Sequence, residues 1–353
     1  MSKPTLIYTP FPKPTDNPYL STNVRLLTEL GYNVIAEPSS WLDRGKFMLK
    51  HLLARDIDSV VLNWHENLFR HRDGRVKWTG ILVYLASIML FRLMARRVIY
   101  VRHNLYPHAF TQRWKRSLAM WIVGMGQSLA HVKAAHSGHL NSKGFKYLPH
   151  TLYRTFSQNH ISRVEMTDSL PTNYYVMFGF IERYKRIDEV VTHWSNEDWL
   201  VVAGNCKDDA YMAILKELAV GKRVYFLTRF IEEDEAQKIV GNSKGLIVAH
   251  ADEDMIVSGS FFFGISVSTP ILAVRTPFLE WFVKNNPGDC IDVSDSVESL
   301  LNSIQGAREL SQCKNLSEIR ALFSDERVKS AWLSLLQVPV VKPKNLIGER
   351  QDV

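Results

Sequence analysis

Residues 174–188 read Tyr-Tyr-Val-Met-Phe-Gly-Phe-Ile-Glu-Arg-Tyr-Lys-Arg-Ile-Asp, an apolar run that stops at a glycine and continues into a cationic segment. The apolar run has the length of a buried strand, and Gly179 permits a tight turn after it. Arg183, Lys185 and Arg186 then place positive charge where a helix begins, and the free N–H groups of a helix start also favour an anion. The stretch therefore predicts a strand, a turn and a helix start suited to a diphosphate; an exposed basic helix start is the alternative.

Similar apolar runs occur on both sides of this stretch and alternate with segments of helical spacing. They lie at 6–10, 33–36, 59–63 and 98–101 before it, and at 200–204, 224–227, 245–249 and 271–274 after it. This alternation is typical of βαβ units and parallel sheets. We predict an α/β protein with two Rossmann-like, doubly wound domains that face a cleft, with ligands outside the carboxyl ends of the strands.

The domain boundaries follow from a polar stretch between the two series of strands, from Ser157 to Thr172. We expect an acceptor-binding, membrane-facing domain at 1–156 and a nucleotide-sugar-binding domain at 173–325. A C-terminal helix and tail at 326–353 is expected to pack back on the first domain.

Composition excludes several classes of protein. The chain has 353 residues, 46% hydrophobic and 22% charged, which is typical of globular proteins and excludes disordered and collagen-like chains. Its 3 cysteines are odd in number and lack metal-ligand spacing. A reducing compartment is therefore expected, with neither a structural disulfide nor a zinc site.

Charge is distributed unevenly along the chain. Residues 1–171 contain 23 Lys and Arg against 10 Asp and Glu, whereas the remaining residues contain 20 against 26. A strongly basic half suggests an anionic partner such as membrane phospholipid or nucleic acid, chance surface charge being the alternative. Because no nucleic-acid-binding motif accompanies the charge, we expect a membrane surface and no nucleic acid.

Two apolar segments are candidates for contact with a membrane. The stretch from Trp78 to Met94 is nearly all apolar but is interrupted by Arg92, and it falls short of the roughly 20 residues that span a bilayer. It is expected to be a helix buried between layers. The segment 112–123 combines cations with Trp114 and Trp121, and it is either an interfacial helix or a core helix with a basic edge. With no signal sequence recognised, we expect a cytoplasmic protein attached peripherally to the inner face of the plasma membrane.

A second phosphate-binding pattern lies near the end of the second series of strands. Ser258-Gly-Ser260 follows a strand and opens an apolar helix. Small residues at a helix start let a phosphate approach the free N–H groups, and hydroxyl groups add donors. A simple helix cap is the alternative interpretation.

Together these motifs resemble the donor half of GT-B fold glycosyltransferases, and among them bacterial exopolysaccharide sugar transferases of the xanthan β-mannosyltransferase type. The elements that carry the resemblance in the second half are Phe178-Gly-x-Ile-x-x-Tyr-Lys185, Val202-Ala-Gly204, Arg229 to Asp234 and Ser258-Gly-Ser260 with Pro270. Those in the first half are Trp64-His-Glu66, Arg102-His-Asn104 with Pro107-His108, and Pro149-His150. The resemblance implies transfer of a sugar, a mannose-like hexose, from a nucleotide donor, with GDP favoured over UDP, and no cofactor.

The resemblance also implies roles for residues around the donor. The diphosphate is expected to contact Gly179, Lys185 and Ser258-Gly259-Ser260. The nucleotide base is expected to lie against Arg229-Phe230-Ile231. Two departures stand out: Phe180 replaces an arginine, for which Arg183 is a partial substitute, and Met255 and Phe263 replace the paired glutamates of retaining relatives. Glu280 is then a substitute contact for the ribose, a solvated helix-end glutamate being the alternative.

Elimination among the few carboxylates of the first half reduces the number of candidates for the catalytic base. Asp16 follows the first strand and Glu66 follows the third, and His103 follows the fourth. All three are expected at the carboxyl edge, where a base takes the proton of an acceptor hydroxyl. We rank Glu66 first, Asp16 second and His103 third. No metal site is expected, since His131, His136 and His139 lack a carboxylate partner.

The expected function is thus transfer of a hexose to a polyprenyl-diphosphate-linked saccharide in exopolysaccharide or other surface-glycan synthesis. A sugar-nucleotide epimerase of the same fold and a non-catalytic two-domain ligand-binding protein are the alternatives.

Overall fold

Strands and helices alternate through the first half of the chain. In the computed structural model, the described residues are 5–11, 17–71, 73–107, 110, 112–155, 161, 169–195, 197–250, 256–286, 290–305 and 316–337. The strands of the first half are β1 (Leu6–Thr9), β2 (Asn33–Ala36), β3 (Ile57–Asn63), β4 (Ala95–Arg102), β5 (Val132–Ala135) and β6 (Lys146–Tyr147). The helices between them are α1 (Pro18–Glu29), α2 (Trp41–Ala54), α3 (Trp78–Met94) and α4 (Arg113–Leu129).

These strands form one parallel sheet in the order β2-β1-β3-β4-β5-β6. Across the sheet, the step from β1 to β2 goes in one direction, and all the steps from β2 through β3 to β6 go in the opposite direction. Because crossovers between parallel strands are right-handed, α1 covers one face of the sheet and α2, α3 and α4 cover the other. Accordingly Leu26 of α1 lies in one apolar cluster, whereas Phe47, Ile88 and Ile122 of the other three helices contribute to a second.

The second half repeats this architecture. Its strands are β7 (Tyr174–Phe178), β8 (Trp199–Ala203), β9 (Val224–Leu227), β10 (Gly245–Val248), β11 (Ile271–Val274) and β12 (Ile291–Ser294), in the order β12-β11-β10-β7-β8-β9. Its helices are α5 (Ile187–His193), α6 (Asp209–Leu218), α7 (Glu233–Gly241), α8 (Gly259–Ser266), α9 (Pro277–Asn285) and α10 (Val297–Gln305). The α/β class with two doubly wound domains is confirmed. The direction in which successive strands are added to the sheet reverses between β7 and β10. A ligand crevice is therefore expected at the carboxyl ends of these two strands.

Two further helices, α11 (Leu316–Ala321) and α12 (Asp325–Leu336), follow the second sheet. Helix α12 packs on α1 of the first domain. Trp332 is buried there and donates its indole N–H to Asn23 Oδ1 at 2.7 Å, while Lys329 and Glu29 form an ion pair at 2.6 Å. The last described helix therefore completes the first domain rather than the second.

The two domains touch at the carboxyl edges of their sheets. The His150 ring, which follows β6, stacks on the Phe262 ring of α8 at 4.2 Å between centroids. Three residues further on, the Tyr153 backbone N–H donates to Ser266 Oγ at 2.9 Å. The segment that leaves the first domain is thus attached to the helix predicted to face the donor phosphates.

Helix α3 differs from the sequence expectation. Its inner side, with Tyr84, Ile88 and Phe91, is buried against the sheet, but Leu82 on its outer side is 71% exposed. The expectation of a helix buried between layers is therefore wrong for one of its sides. No helix of the described residues is both long and apolar enough to cross a membrane.

Candidate functional site

The end of β7 forms a small polar cradle. Gly179 adopts a left-handed φ of +100°, and the carbonyl of Phe178 accepts hydrogen bonds from Lys185 Nζ at 3.1 Å and from Ser260 Oγ at 2.9 Å. A Cβ atom on Gly179 would lie 2.8 Å from Lys185 Nζ and 3.5 Å from Ser260 Oγ. The left-handed backbone favours glycine here, and a larger residue would also displace the end of the Lys185 side chain. The structure brings together three residues that the sequence predicted as diphosphate contacts.

Lys185 is the cation of this cradle, and it is only 7% exposed. Burial lowers the pKa of its ammonium group to about 8, since removal from water disfavours the charged form. A phosphate oxygen at this position gains a charge-assisted hydrogen bond. Ligand binding would also relieve the electrostatic cost of the buried cation.

Two helix starts contribute free N–H groups next to the cradle. Ser258 caps α8 by accepting a hydrogen bond from the Phe261 N–H at 3.3 Å, and Thr276 caps α9 by accepting from the Leu279 N–H at 3.2 Å. Both helix starts border one small pocket, which is also lined by His250. Sequence reasoning placed Glu280 at this helix start but did not single out Thr276, although threonine followed by proline is a recognisable helix-start signal.

Two of the predicted cationic contacts are engaged outside the cradle. Arg183 forms an ion pair with Asp208 at 3.1 Å and lies 4.5 Å above the Tyr211 ring. Arg229 pairs with both carboxylate oxygens of Glu235, at 2.6 and 2.8 Å. The expectation that Arg183 substitutes for the missing arginine at Phe180 is not supported by these contacts, because its guanidinium is directed to α6.

The residues expected around the nucleoside divide by exposure. Phe230 is 67% exposed, whereas Ile231 is buried in the apolar cluster of the second domain. Gly259 is exposed at the start of α8, where a Cβ would lie 3.1 Å from the Tyr153 hydroxyl. Glu280 is exposed in the first turn of α9. Phe230, Gly259 and Glu280 are therefore accessible to a ligand, and Ile231 is not accessible through its side chain.

Glu66 is placed differently from the expectation. It follows β3 at the carboxyl edge, but its side chain is 2% exposed and accepts a hydrogen bond from the Tyr100 hydroxyl at 2.9 Å. The Tyr100 hydroxyl also contacts Tyr84 of α3, so the carboxylate lies in the layer between the sheet and that helix. Trp64 just before it has a left-handed φ of +48°, which turns the chain at this point. The direction of the carboxylate into this layer argues against Glu66 as the base that we ranked first; burial alone does not, because His103 is only 3% exposed as well.

His103 follows β4 at the carboxyl edge, and its ring is linked through those of His136 and His150 to Phe262 of the second domain. Its Nε2 is 2.9 Å from Asn63 Oδ1, and its ring stacks on Trp64 at 3.9 Å. An amide oxygen only accepts, so with this arrangement Nε2 carries the proton and Nδ1 is the basic nitrogen. Burial, together with His136 and His150 nearby, holds the pKa of His103 well below its usual value. Asp16, the other expected base, lies outside the described residues.

A cluster of buried rings surrounds His103 and was not anticipated as a unit. The rings of His103 and His136, and those of His136 and His150, are each 5.0 Å apart between centroids, and Tyr19 contacts all three. Burial lowers the pKa of His136 to about 4. Among the residues that the structure describes, none is a hydrogen-bond partner of the buried His136 Nε2. The cluster is therefore uncharged at neutral pH and retains hydrogen-bonding capacity.

Within the part of the chain that the structure describes, no group of three or more His, Cys, Asp or Glu is arranged to hold a metal ion.

Comparisons with known proteins give matches in structure alone. The sequence matches no protein-family model, and no curated protein sequence is significantly similar to it. The crystal structure of HepE from Anabaena in complex with UDP and glucose is similar over 94% of this chain and 99% of that chain, with 13% identity and a TM-score of 0.63. A glycosyltransferase from Rickettsia africae matches over 95% of each chain, with 10% identity and a TM-score of 0.55.

A third similar structure is a putative UDP-N-acetylglucosamine 2-epimerase from Listeria monocytogenes. It covers 94% of this chain and 95% of that chain, with 12% identity and a TM-score of 0.53. The chain has the GT-B fold. At these identities the similarity concerns architecture, so activity has to be argued from the site.

Proposed function

We propose that the protein is a glycosyltransferase that moves a hexose from a nucleoside-diphosphate donor to a saccharide acceptor. The observation that carries the proposal is the cradle after β7, where the Lys185 cation, the Ser260 hydroxyl and the start of α8 converge beside Gly179. Each of these groups favours a diphosphate. The crystal structure of HepE with UDP and glucose supports a nucleotide sugar as the ligand of this fold.

The proposed reaction is a direct displacement at the sugar. The acceptor hydroxyl oxygen forms a bond to the anomeric carbon, the bond from that carbon to the diphosphate oxygen breaks, and the nucleoside diphosphate leaves with the electron pair. Lys185 and the N-terminus of α8 stabilise its charge without a metal ion. His103 accepts the hydroxyl proton, because it is neutral and lies at the carboxyl edge facing the second domain.

The identities of the donor and the acceptor are proposed from the sequence motifs and the charge of the first half. The motifs Trp64-His-Glu66 and Arg102-His-Asn104 resemble those of exopolysaccharide sugar transferases, which favours a GDP-linked, mannose-like hexose as the donor. The net positive charge of residues 1–171 favours a polyprenyl-diphosphate-linked saccharide at the cytoplasmic leaflet as the acceptor. The product would then belong to an exopolysaccharide or another surface glycan.

Nucleotide binding provides the first test. GDP, UDP, GDP-mannose and UDP-glucose are added to the purified protein, and thermal unfolding is followed; at about 100 times its Kd a nucleotide adds about 2.7 kcal/mol of stability. Lys185→Met is expected to abolish the shift, whereas Lys216→Met, at an exposed position of α6, is expected to retain it. No shift with any of the four nucleotides would contradict the proposal.

Sugar-nucleotide epimerisation is the second candidate, because the putative epimerase from Listeria monocytogenes shares the fold. The two reactions differ in their need for an acceptor. Incubation of the protein with UDP-N-acetylglucosamine alone, followed by chromatography, would reveal a new nucleotide sugar only if the protein is an epimerase. Release of free GDP or UDP that depends on added membrane lipid extract is expected for the transferase.

A further inference from the structure

Three helices on one side of the first domain present an unusual outer surface. Helices α2, α3 and α4 pack side by side over one face of the sheet, and their inner sides belong to its apolar cluster. Their outer sides also carry large apolar side chains. We call this surface the three-helix face, and six of its side chains, between 54 and 78% exposed, define it: Trp41 and Leu53 of α2, Trp78 and Leu82 of α3, and Trp114 and Trp121 of α4.

Helix α3, at the centre of the face, shows the pattern most clearly. Its large exposed side chains include Trp78, Leu82, Met89 and Leu93, and its exposed positions hold no charged residue. Its one cation, Arg92, is half-buried and donates to the carbonyl of Leu129. A helix that is half covered by a sheet normally turns a polar side to water. The outer side of α3 is therefore suited to an apolar environment.

The other domain shows that this exposure is not a general property of the chain. Among the described residues from 169 onward, the large exposed hydrophobic side chains are Phe180, Ile214, Val220 and Phe230, which lie on separate elements. Scattered apolar residues of this kind are ordinary on a protein surface, whereas a contiguous patch marks an interaction site. The three-helix face is such a patch.

The charged residues around the three-helix face indicate the chemistry of the surface that it suits. Between Asp73 and Glu165 the sequence contains no Asp or Glu, so α3 and α4 carry cations alone. Exposed cations flank the face: Lys46 and Lys50 on α2, and Arg113 at the start of α4. Asp43, in the first turn of α2, is the one exposed acidic residue of the three helices. Apolar side chains bordered by cations are complementary to an anionic lipid surface, where each cation near the headgroups contributes about 1 kcal/mol.

Tryptophan positions give the orientation of the face. The three helices each cross from the carboxyl end of one strand to the start of another, so all three begin at the same edge of the sheet. Trp41, Trp78 and Trp114 lie in the first turn of α2, α3 and α4, respectively. Indole side chains favour the boundary between headgroups and acyl chains. This row lies at the carboxyl edge, where His103 also lies.

We propose that the three-helix face inserts into the boundary between headgroups and acyl chains of an anionic bilayer, so that the first domain lies on the membrane by apolar contact as well as by charge. The proposal deepens the proposed function, since a lipid-linked acceptor would then be presented at the same edge. It differs from docking by charge alone, because apolar insertion persists when salt screens the cations.

Co-sedimentation with lipid vesicles tests the proposal. The full chain is mixed with vesicles of phosphatidylcholine alone or with one quarter phosphatidylglycerol, in about 0.1 M and about 1 M NaCl. We expect binding to the anionic vesicles that falls, but persists, at the higher salt concentration. Leu82→Glu and Trp121→Glu are each expected to lower the partition coefficient at least about tenfold. Val220→Glu, the same kind of change at an exposed position of the second domain, is expected to leave it within about twofold.

Several results would overturn the inference. These are the absence of binding to anionic vesicles, complete loss of binding in 1 M NaCl, and equal effects of the Leu82 and Val220 variants. A stable dimer in light scattering that Leu82→Glu dissociates, together with no vesicle binding, would assign the face to a second copy of the chain instead. Thermal shifts with GDP and UDP are measured on the same variants. Loss of those shifts with intact vesicle binding would refute the proposed function and leave this inference standing.

Discussion

Replacement of Lys185 by methionine is expected to stabilise the protein while removing its nucleotide binding. The ammonium group is buried next to the Phe178 carbonyl, and its pKa is lowered from 10.5 to about 8. Methionine fills similar space without a charge to desolvate. The Phe178 carbonyl remains hydrogen-bonded in the variant, because Ser260 Oγ also donates to it at 2.9 Å.

The size of the effect follows from the pKa difference. A fall from 10.5 to about 8 corresponds to about 3 to 4 kcal/mol at most, at about 1.4 kcal/mol per pKa unit. Between pH 8 and 10.5 the unfolded chain still holds the lysine proton and the folded chain has lost it. The free energy of unfolding therefore rises with pH between pH 8 and 10.5 because of this group. Below pH 8 the full cost of burying the charged lysine destabilises the folded protein. At pH 7 the variant should melt several degrees above wild type, at about 2–4 °C per kcal/mol for a domain of this size.

Two measurements check this expectation. Thermal unfolding of wild type, Lys185→Met and the exposed control Lys216→Met is followed from pH 7 to 10.5, where the advantage of Lys185→Met should shrink as pH rises. Titration with UDP and GDP follows binding: an anion favours the protonated lysine, so wild-type affinity should weaken as pH rises through 8. Lys185→Met should bind at least about 100-fold more weakly at pH 7.

Either of two results would refute the reasoning. If Lys185→Met is less stable than wild type at pH 7, the buried cation does not carry the desolvation cost that its environment implies. If the variant is stabilised but binds UDP or GDP as tightly as wild type, the lysine is buried without contacting the diphosphate, and the cradle is not the donor site.

Three other perturbations address the first domain. Acidification should destabilise the protein between pH 6.5 and about 4, because His136 gains a proton in the unfolded chain but not in the folded protein, where it is buried. His136→Gln should reduce this loss of stability in melting curves. An identical acid dependence of the variant and wild type would contradict the lowered pKa of His136. Turnover should fall at least about 100-fold in His103→Gln but less than about tenfold in Glu66→Gln, as measured by nucleotide release, and the opposite order would restore Glu66 as the base. Trp332→Ala should cost about 3–5 kcal/mol in urea unfolding, while Trp121→Ala at an exposed position should cost little, and equal costs would contradict the packing of α12 on α1.

Sequence patterns predicted most of the fold because strands of a doubly wound sheet are local features. A short apolar run between helical segments has few other structures available, so the runs at 174–178 and 245–248 were found directly. Two of the four edge strands, β6 and β12, were missed for the same reason. β6 has 2 residues, and β12 alternates with only Ile291 well buried, so neither has the continuous apolar run of a central strand.

Side-chain direction was harder to predict than chain position. Glu66 was correctly placed after the third strand, but whether a side chain there faces the cleft or the core depends on one or two backbone angles. The left-handed turn at Trp64 and the hydroxyl of Tyr100 decide it, and Tyr100 is far away along the chain. Likewise His136 and His150 are separate motifs in the sequence and become one cluster only where β5 and β6 end.

The sequence by itself determined which chemistry is present: the glycine, lysine and serine of the cradle, the basic first half and the acidic second half. The tertiary structure decided which groups meet and which side of a helix faces water. Lys185 and Ser260 share one carbonyl because β7 and β10 are neighbours in the sheet. A helix that is apolar all round, as α3 is, contains no local signal of which side will be covered. Only the packing of the sheet against Tyr84 and Ile88 leaves Trp78 and Leu82 exposed, and that exposure is what points to the membrane.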